Sequence, residues 1–222
     1  MTGPAPAAAG DGAAGGRPAW MAHLTERLEG LPDTWFSRFL PPEGGGARES
    51  AVLILFGPGR GGGTELLLTE RAHTMRSHAG QAAFPGGGRE AGDADLVGTA
   101  LREAQEEVGL DGGGVEVVTV LPTAHIQVSG YDVTPVLAWW ARPAPVWARD
   151  PGEVERVVLI PVEHLVDPAN RFRVRHVSGF VGPAFDADGL LVWGFTAGLL
   201  DRTLRLAGLE RPWDDGVVRD VS

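Results

Sequence analysis

Apolar residues along this chain follow two periods, and each period predicts a kind of element. Residues 51–57 (AVLILFG) and 64–70 (TELLLTE) are short apolar runs joined by a glycine-rich link, a pattern that predicts a β-hairpin. Further apolar runs predict more strands, at 115–121, 132–141 and 155–162, with two short strands within 171–185. These strands would form the sheet on which the helices pack.

Three other segments have the helical period. The first is a short helix that ends near Gly30, with one face formed by Met21, Leu24, Leu28 and Leu31. The second begins near Ala94 or Asp95 and ends at Gly109, with an apolar stripe formed by Val97, Leu101, Ala104 and Val108. The third covers residues 191–206. We expect the apolar stripe of the second helix to face the sheet and its other side to point outward.

Length and local composition predict one catalytic domain with two tails. The chain has 222 residues, enough for one sizeable hydrophobic core. Residues 1–18 are almost entirely Ala, Gly and Pro and are expected to be disordered. The domain is expected to span residues 19–209. The remaining segment, 210–222, is acidic and is expected to be a loose C-terminal tail.

Charge and cysteine content exclude several classes of function. The formal net charge of −10, with no basic stripe to offset it, argues against binding to nucleic acid or to an anionic membrane. The absence of cysteine excludes a disulfide framework, a thiolate nucleophile and a cysteine zinc site. No secretory signal or long apolar segment is evident, so a cytoplasmic protein is expected. The sequence predicts no oligomeric state.

Three carboxylates lie close together on the second predicted helix. Glu103 and Glu107 are one turn apart on one side, and Glu106 lies beside them. Mg²⁺ and Mn²⁺ prefer such oxygen ligands, and Arg102 could hold one carboxylate in position. Without further context, a solvated acidic face is the more usual explanation of the same residues.

The residues around these carboxylates resemble the Nudix hydrolase signature. Its second half reads Arg-Glu-aliphatic-x-Glu-Glu-x-Gly-aliphatic, and residues 102–110 (REAQEEVGL) match it with Ala104 in the aliphatic place. The first half of the signature requires a glycine and an acidic residue at fixed spacing. That spacing selects Gly88 and Ala94, whereas a loop longer by one residue would use Gly87 and Asp93, which we prefer.

A neighbouring segment resembles one Nudix subfamily, the coenzyme A pyrophosphatases. Residues 67–87 (LLTERAHTMRSHAGQAAFPGG) satisfy every specified position of that subfamily's motif, and 129–136 (SGYDVTPV) and 193–197 (WGFTA) are also similar. The resemblance covers roughly residues 50–205. It implies a Nudix fold of the α/β class, an α/β/α sandwich with a mixed β-sheet.

The resemblance also implies a reaction and a metal site. The reaction would be Mg²⁺- or Mn²⁺-dependent cleavage of the diphosphate of coenzyme A to 3′,5′-ADP and 4′-phosphopantetheine. Glu103 and Glu107 would be the principal metal ligands, Glu106 would contribute, and Gly87 would offer its carbonyl oxygen. ADP-ribose or another nucleoside diphosphate derivative is the alternative substrate. A nucleotide-binding regulator without activity is a third hypothesis, but such modules usually have a damaged signature, which this chain does not.

Substrate binding and proton transfer are assigned less directly. Arg71 and Arg76 lie in the subfamily motif and could grip a phosphate, although a surface role is the alternative. Glu153 or Glu155 is a candidate general base by its position in a later loop. The histidines His73, His78 and His125 lack metal-ligand spacing. The tryptophans Trp139, Trp140 and Trp193 are expected to belong to the core.

Overall fold

The protein is described by a computed structural model that covers residues 16–37, 40–41, 48–75, 77–127 and 129–221. Most of the predicted N-terminal tail and Arg76 lie outside these described residues. The described residues form twelve strands and four α-helices. The helices are α1 (Ala19–Leu28), α2 (Leu96–Val108), α3 (Val162–Val166) and α4 (Gly194–Leu206). The strands are β1 (Arg48–Pro58), β2 (Thr64–Arg71), β3 (Ala82–Ala83), β4 (Gly86–Gly88), β5 (Val115–Val120), β6 (Ala124–Ile126), β7 (Tyr131–Trp140), β8 (Val154–Pro161), β9 (Arg171–His176), β10 (Val181–Ala187), β11 (Leu190–Val192) and β12 (Val218–Val221).

The larger sheet has eight strands and is mixed, as predicted. Its two central strands, β1 and β7, run parallel to each other over nine residue pairs. The other pairings are antiparallel: β2 and β4 with β1, β5 and β6 with β7, and β3 and β8 with β2. The predicted hairpin of β1 and β2 is confirmed.

Strands β1 and β2 separate along their length, and the chain between β3 and β4 fills the gap. Residues 64–66 of β2 pair with the end of β1. Residues 69–70 of β2 pair with β8 on one edge and with β3 on the other, so β3 lies on the same edge as β1. At the opposite end of β1, residues 50–52 pair with β4. The segment that resembles the coenzyme A pyrophosphatase motif is therefore built into the sheet.

Both faces of the sheet are covered, which accounts for the continuous apolar character of β1 and β7. One face packs against α2, with a core that includes Leu53, Leu55 and Ala104. The other packs against α1 and α4, with a core that includes Ile54, Phe56 and Leu200. Alternate residues of β1 thus enter opposite cores. The predicted α/β/α sandwich is confirmed.

Two predictions about the C-terminal part were wrong. Residues 190–192 form β11 rather than the start of a helix, because Asp188 and Gly189 have positive φ and turn the chain into a β10–β11 hairpin. The tail is not loose throughout, since β12 runs parallel to β9 and completes a second sheet in the order β11-β10-β9-β12. In the described part of the chain, no helix is both long and apolar enough to cross a bilayer.

Candidate active site

Helix α2 carries the three glutamates and has clear start and stop signals. Asp95 caps it by accepting a hydrogen bond from Gly98 N at 2.7 Å. Gly109 ends it in the left-handed conformation at φ 69°. These local signals fix which residues face the sheet, and they place Glu103 and Glu107 above the strand β4.

Glu107 is almost fully buried, with 4 % of its surface exposed. Its Oε2 accepts a hydrogen bond from Gly86 N at 3.2 Å. Burial raises the pKa of Glu107 to about 8, while the Gly86 bond and the charge of Arg71 lower it and the charges of Glu103 and Glu153 raise it further. A buried carboxylate among like charges needs a cation to be ionised at neutral pH, so this donor set fits a hard divalent metal ion.

Glu103 lies directly over Gly87. A Cβ atom at Gly87 would fall 2.5 Å from the Glu103 carboxylate carbon, which no side chain could tolerate without displacing that group. Burial raises the pKa of Glu103, the charge and hydrogen bond of Arg102 lower it, and the charges of Glu106 and Glu153 raise it. The lack of a side chain at Gly87 is therefore what lets the loop backbone approach this carboxylate.

Arg102 ties the helix to the preceding loop. Its Nε donates to Asp93 Oδ1 at 2.9 Å, and its Nη2 donates to Asp93 Oδ2 at 3.1 Å and to the Gly88 carbonyl at 2.8 Å. Asp93 also accepts from Glu90 N and Thr99 Oγ1, both at 2.9 Å. The Arg102 hydrogen bonds hold the pKa of Asp93 well below its usual range. The preferred alignment is supported, because Asp93 and not Ala94 supplies the loop carboxylate.

Arg102 also forms ion pairs with Glu103 and Glu106. Its Nη1 lies 3.0 Å from Glu103 Oε1 and 3.0 Å from Glu106 Oε2. Glu106 is the more exposed of the two, with 59 % of its side chain in contact with solvent. Within the described residues, no group of three or more acidic or histidine side chains is already close enough to hold a metal ion. The metal-ligand assignments of Glu103, Glu106, Glu107 and the Gly87 carbonyl stay predictions.

A later loop brings Glu153 to the site. Arg149 N donates to the Glu107 carbonyl at 2.9 Å, and Trp147 N donates to the Val108 carbonyl at 3.2 Å, so the loop satisfies carbonyls at the end of α2. The Glu153 carbonyl in turn accepts from Ala72 N at 2.8 Å. The side chain of Glu153 is exposed, and its charge acts on both Glu103 and Glu107.

Arg71 is the predicted substrate residue that the structure describes, since Arg76 lies outside the described residues. Arg71 ends β2, and its charge acts on Glu107. Its Nε is buried and has no hydrogen-bond partner in the described part of the chain. A partly exposed guanidinium with an unused Nε donor beside acidic groups is suited to binding an anionic ligand.

Other residues have roles that the sequence did not reveal. Gly86 N holds Glu107, and Thr99 holds Asp93; neither is distinguished from its neighbours by the sequence pattern alone. The prediction that the tryptophans belong to the core is confirmed for Trp139 and Trp140, which lie in the cores on opposite faces of the sheet. Trp193 is partly buried and packs beside the small core of the second sheet.

Comparison with known proteins agrees with this architecture. A family model described as the NUDIX domain matches residues 47–178, more than half of the chain. Proteins named "Uncharacterized Nudix hydrolase NudL" from Salmonella paratyphi B and Salmonella newport are each 41 % identical over 140 residues, covering 61 % of this chain and 71 % of the relative. The crystal structure of RenU, a Nudix hydrolase from M. smegmatis, aligns with a TM-score of 0.53 at 19 % identity, covering 79 % of this chain and 98 % of RenU, and shows the same fold. The chain belongs to the Nudix hydrolase family.

Proposed function

We propose that this Nudix hydrolase is a divalent-metal-dependent pyrophosphatase that cleaves the diphosphate linkage of coenzyme A or its derivatives. The products would be 3′,5′-ADP and 4′-phosphopantetheine. The observation that carries the proposal is the folding of residues 67–87, the segment with the subfamily pattern. Residues near both ends of this segment interact with one glutamate. The charge of Arg71 lowers the pKa of Glu107, and Gly86 N donates to the Glu107 carboxylate.

The acidic residues would hold the metal. Glu103 and Glu107 are the principal ligands in this proposal, and Glu106 and the Gly87 carbonyl contribute. Nudix hydrolases generally use Mg²⁺ or Mn²⁺, which would neutralise charge on the diphosphate and lower the pKa of the attacking water. Arg102 is a positioning residue, because its hydrogen bonds to Asp93 and Gly88 fix the loop that lies against Glu103.

Residues at the edge of the site would bind the substrate and take a proton from the attacking water. The Nε of Arg71 has no partner among the described residues, so a phosphate oxygen could accept a hydrogen bond from it, and Arg76 is proposed to assist. Glu153 is proposed as the general base that takes a proton from water. Its exposure and its electrostatic influence on Glu103 and Glu107 both support that role.

The proposed ligand is therefore a small nucleotide. The net charge of −10 does not favour a nucleic acid, and we propose a cytoplasmic location. ADP-ribose and other nucleoside diphosphate derivatives are the competing substrates, because metal ligands that bind a diphosphate do not by themselves distinguish what is attached to it.

A substrate panel tests the proposal. Purified protein would be incubated with coenzyme A, 3′-dephospho-coenzyme A and ADP-ribose, each with Mg²⁺ and with Mn²⁺, and products would be identified by mass. We expect the highest kcat/KM for coenzyme A, since a site for it should gain from the 3′-phosphate. A preference for ADP-ribose would redirect the substrate assignment, and an absence of metal-dependent cleavage would favour a regulator without activity.

A further inference from the structure

The first turn of α4 contacts β3, just before residues 85–87, from the face of the sheet opposite to α2. Thr196 lies in the segment 193–197 (WGFTA), which has no role in the proposed reaction. Its side chain is buried, and its Oγ1 donates to the Ala82 carbonyl at 3.1 Å, across 114 residues of sequence. Ala82 begins β3, four residues before the glycine that holds Glu107.

The Ala82 carbonyl points away from β2. The Gln81 carbonyl accepts from Arg71 N, so it faces β2, and successive carbonyls of a strand face opposite edges. Thr69 Oγ1 donates a hydrogen bond to the next carbonyl, that of Ala83, at 3.2 Å. Two threonine hydroxyls thus hold successive carbonyls of β3. The one from Thr196 satisfies a group that the β2 ladder cannot reach.

The loop that follows β3 packs closely against its neighbours. Leu53 N donates to the Pro85 carbonyl at 2.8 Å. A Cβ atom at Gly86 would lie 2.3 Å from the Ala51 carbonyl oxygen, and one at Gly87 would meet the Glu103 carboxylate. The backbone of residues 85–87 is therefore in close contact with β1 on one side and with the acidic side chains on the other. A change in the direction of the backbone at Ala82 would move Gly86 N, which donates to the Glu107 carboxylate.

We propose that Thr196 is a positioning residue that fixes the loop 82–87, and through Gly86 the carboxylate of Glu107. This inference rests on the proposed function for its activity readout, and it links α4 to the metal site. Placement of metal-binding groups by such hydrogen bonds matters because small displacements cost catalytic efficiency and metal affinity.

The chain offers a matched control on the same helix. Thr203 is fully buried, and its Oγ1 donates to the Leu199 carbonyl at 2.8 Å within α4. Thr203→Val makes the same chemical change as Thr196→Val but removes a bond that stays within the helix. Thr196→Ser keeps the hydroxyl and serves as the rescue variant. Thr196→Ala removes the hydroxyl without placing a methyl group in its position, and it replaces Thr196→Val if that variant does not fold.

The test combines three measurements on the full chain: steady-state kinetics with coenzyme A, Mn²⁺ affinity by calorimetry, and amide hydrogen exchange of residues 82–87 in metal-free protein. For Thr196→Val we expect kcat and Mn²⁺ affinity to fall about 10-fold or more, with KM within about twofold and faster exchange in the loop. Thr196→Ser should restore all three, and Thr203→Val should alter none.

Two outcomes would overturn the inference. One is loop exchange and Mn²⁺ affinity in Thr196→Val that match those of Thr203→Val. The other is an equal loss in both threonine variants, which would indicate general destabilisation of α4. If wild-type protein cleaves no diphosphate substrate, the proposed function fails, while exchange and Mn²⁺ binding still decide the role of Thr196.

Discussion

Glu107 combines burial with negative neighbours, and this combination makes it the residue on which the proposed chemistry most depends. A carboxylate with 4 % exposure and a pKa raised by burial is unfavourable to ionise in the absence of a cation. Its hydrogen bond to Gly86 also fixes its orientation. Substitution of this residue should therefore affect metal binding much more than folding.

We predict that Glu107→Gln keeps the fold and lowers kcat/KM at least about 100-fold, because Glu107 is proposed to bind the metal ion directly and glutamine lacks its negative charge. Glutamine keeps the volume and can still accept from Gly86. Circular dichroism and kinetics with Mg²⁺ would measure the two effects. Glu106→Gln should lose less, since Glu106 is exposed and paired with Arg102. Near-normal turnover in Glu107→Gln would refute the metal assignment.

The two acidic residues predicted as candidate bases, Glu153 and Glu155, give a second comparison, although the structure places Glu155 in β8 rather than in a loop. The charge of Glu153 raises the pKa of both Glu103 and Glu107, whereas Glu155 lies on the strand β8 with an exposed side chain. We predict that Glu153→Gln lowers kcat and kcat/KM roughly 10²- to 10⁴-fold in steady-state kinetics, because a general base acts in the chemical step. Glu155→Gln should leave both nearly unchanged. Equal effects in the two variants would argue against Glu153 as the base.

At the scale of elements, β4 and α2 approach so closely that one glycine decides the geometry. A Cβ at Gly87 would collide with the Glu103 carboxylate, whereas a Cβ at the adjacent Gly88 would meet nothing within 4 Å. These neighbouring positions therefore form a natural pair for testing how the loop and the helix fit together.

We predict that Gly87→Ala reduces activity strongly, because the Glu103 carboxylate must move by more than a few tenths of an ångström. Gly88→Ala should cause a much smaller loss. Mn²⁺ titration of both variants would show whether the loss follows metal affinity, as displacement of a ligand requires. If Gly88→Ala proved equally damaging, side-chain space could not be the reason.

The loop and α2 are also joined by an ion pair that should depend on pH. Arg102 holds the pKa of Asp93 well below its ordinary value of 3.8. The stabilisation from this pair is therefore fully present above about pH 4, the unfolded value. It is lost as the pH falls from there towards the folded pKa.

We predict that Asp93→Asn melts below wild type at pH 7 and that the difference narrows below pH 4. Thermal unfolding across that range would measure it. Glu90→Gln is the control, because Glu90 lies 3.9 Å from Arg102 with 68 % of its side chain exposed. A melting difference that persists unchanged at low pH would mean that the Asp93 charge is not its source.

At the scale of the whole molecule, a buried arginine joins the second sheet, α4 and the C-terminal segment. The side chain of Arg171 on β9 is fully buried and pairs with Asp201 of α4 and, at 3.5 Å, with Glu210. Its guanidinium lies 4.7 Å from the ring centre of Phe185 and 4.6 Å from that of Trp213. The arrangement holds the end of the chain against the domain.

We predict that Asp201→Ala destabilises the protein by about 3–5 kcal/mol, because it leaves a buried guanidinium without its main partner. The control is Asp220→Ala, which breaks an exposed pair with Arg175 at 3.7 Å and should cost about 0–1 kcal/mol. Chemical denaturation would measure both. A loss below about 1 kcal/mol for Asp201→Ala would show that the cluster does not stabilise the fold.

Sequence alone determined the features that depend on neighbouring residues. The start of α2 near Asp95, its stop at Gly109 and the spacing of Glu103 and Glu107 are local, so neighbouring residues and helical geometry determine them. The strands β1 and β2 followed from apolar runs in the same way. The resemblance to the Nudix hydrolase signature also predicted the family, because these local patterns occur together in that family.

Tertiary structure decided every feature that joins distant segments. The hydrogen bond from Arg102 to Asp93 adds support to the alignment that the sequence already favoured, and the bond from Gly86 to Glu107 spans 21 residues. The strand β12 and the hydroxyl contact of Thr196 with Ala82 are longer-range still. Periodicity predicts which face of an element is apolar, but not which strand pairs with it or which carbonyl it meets, because those contacts arise only when separate elements pack together.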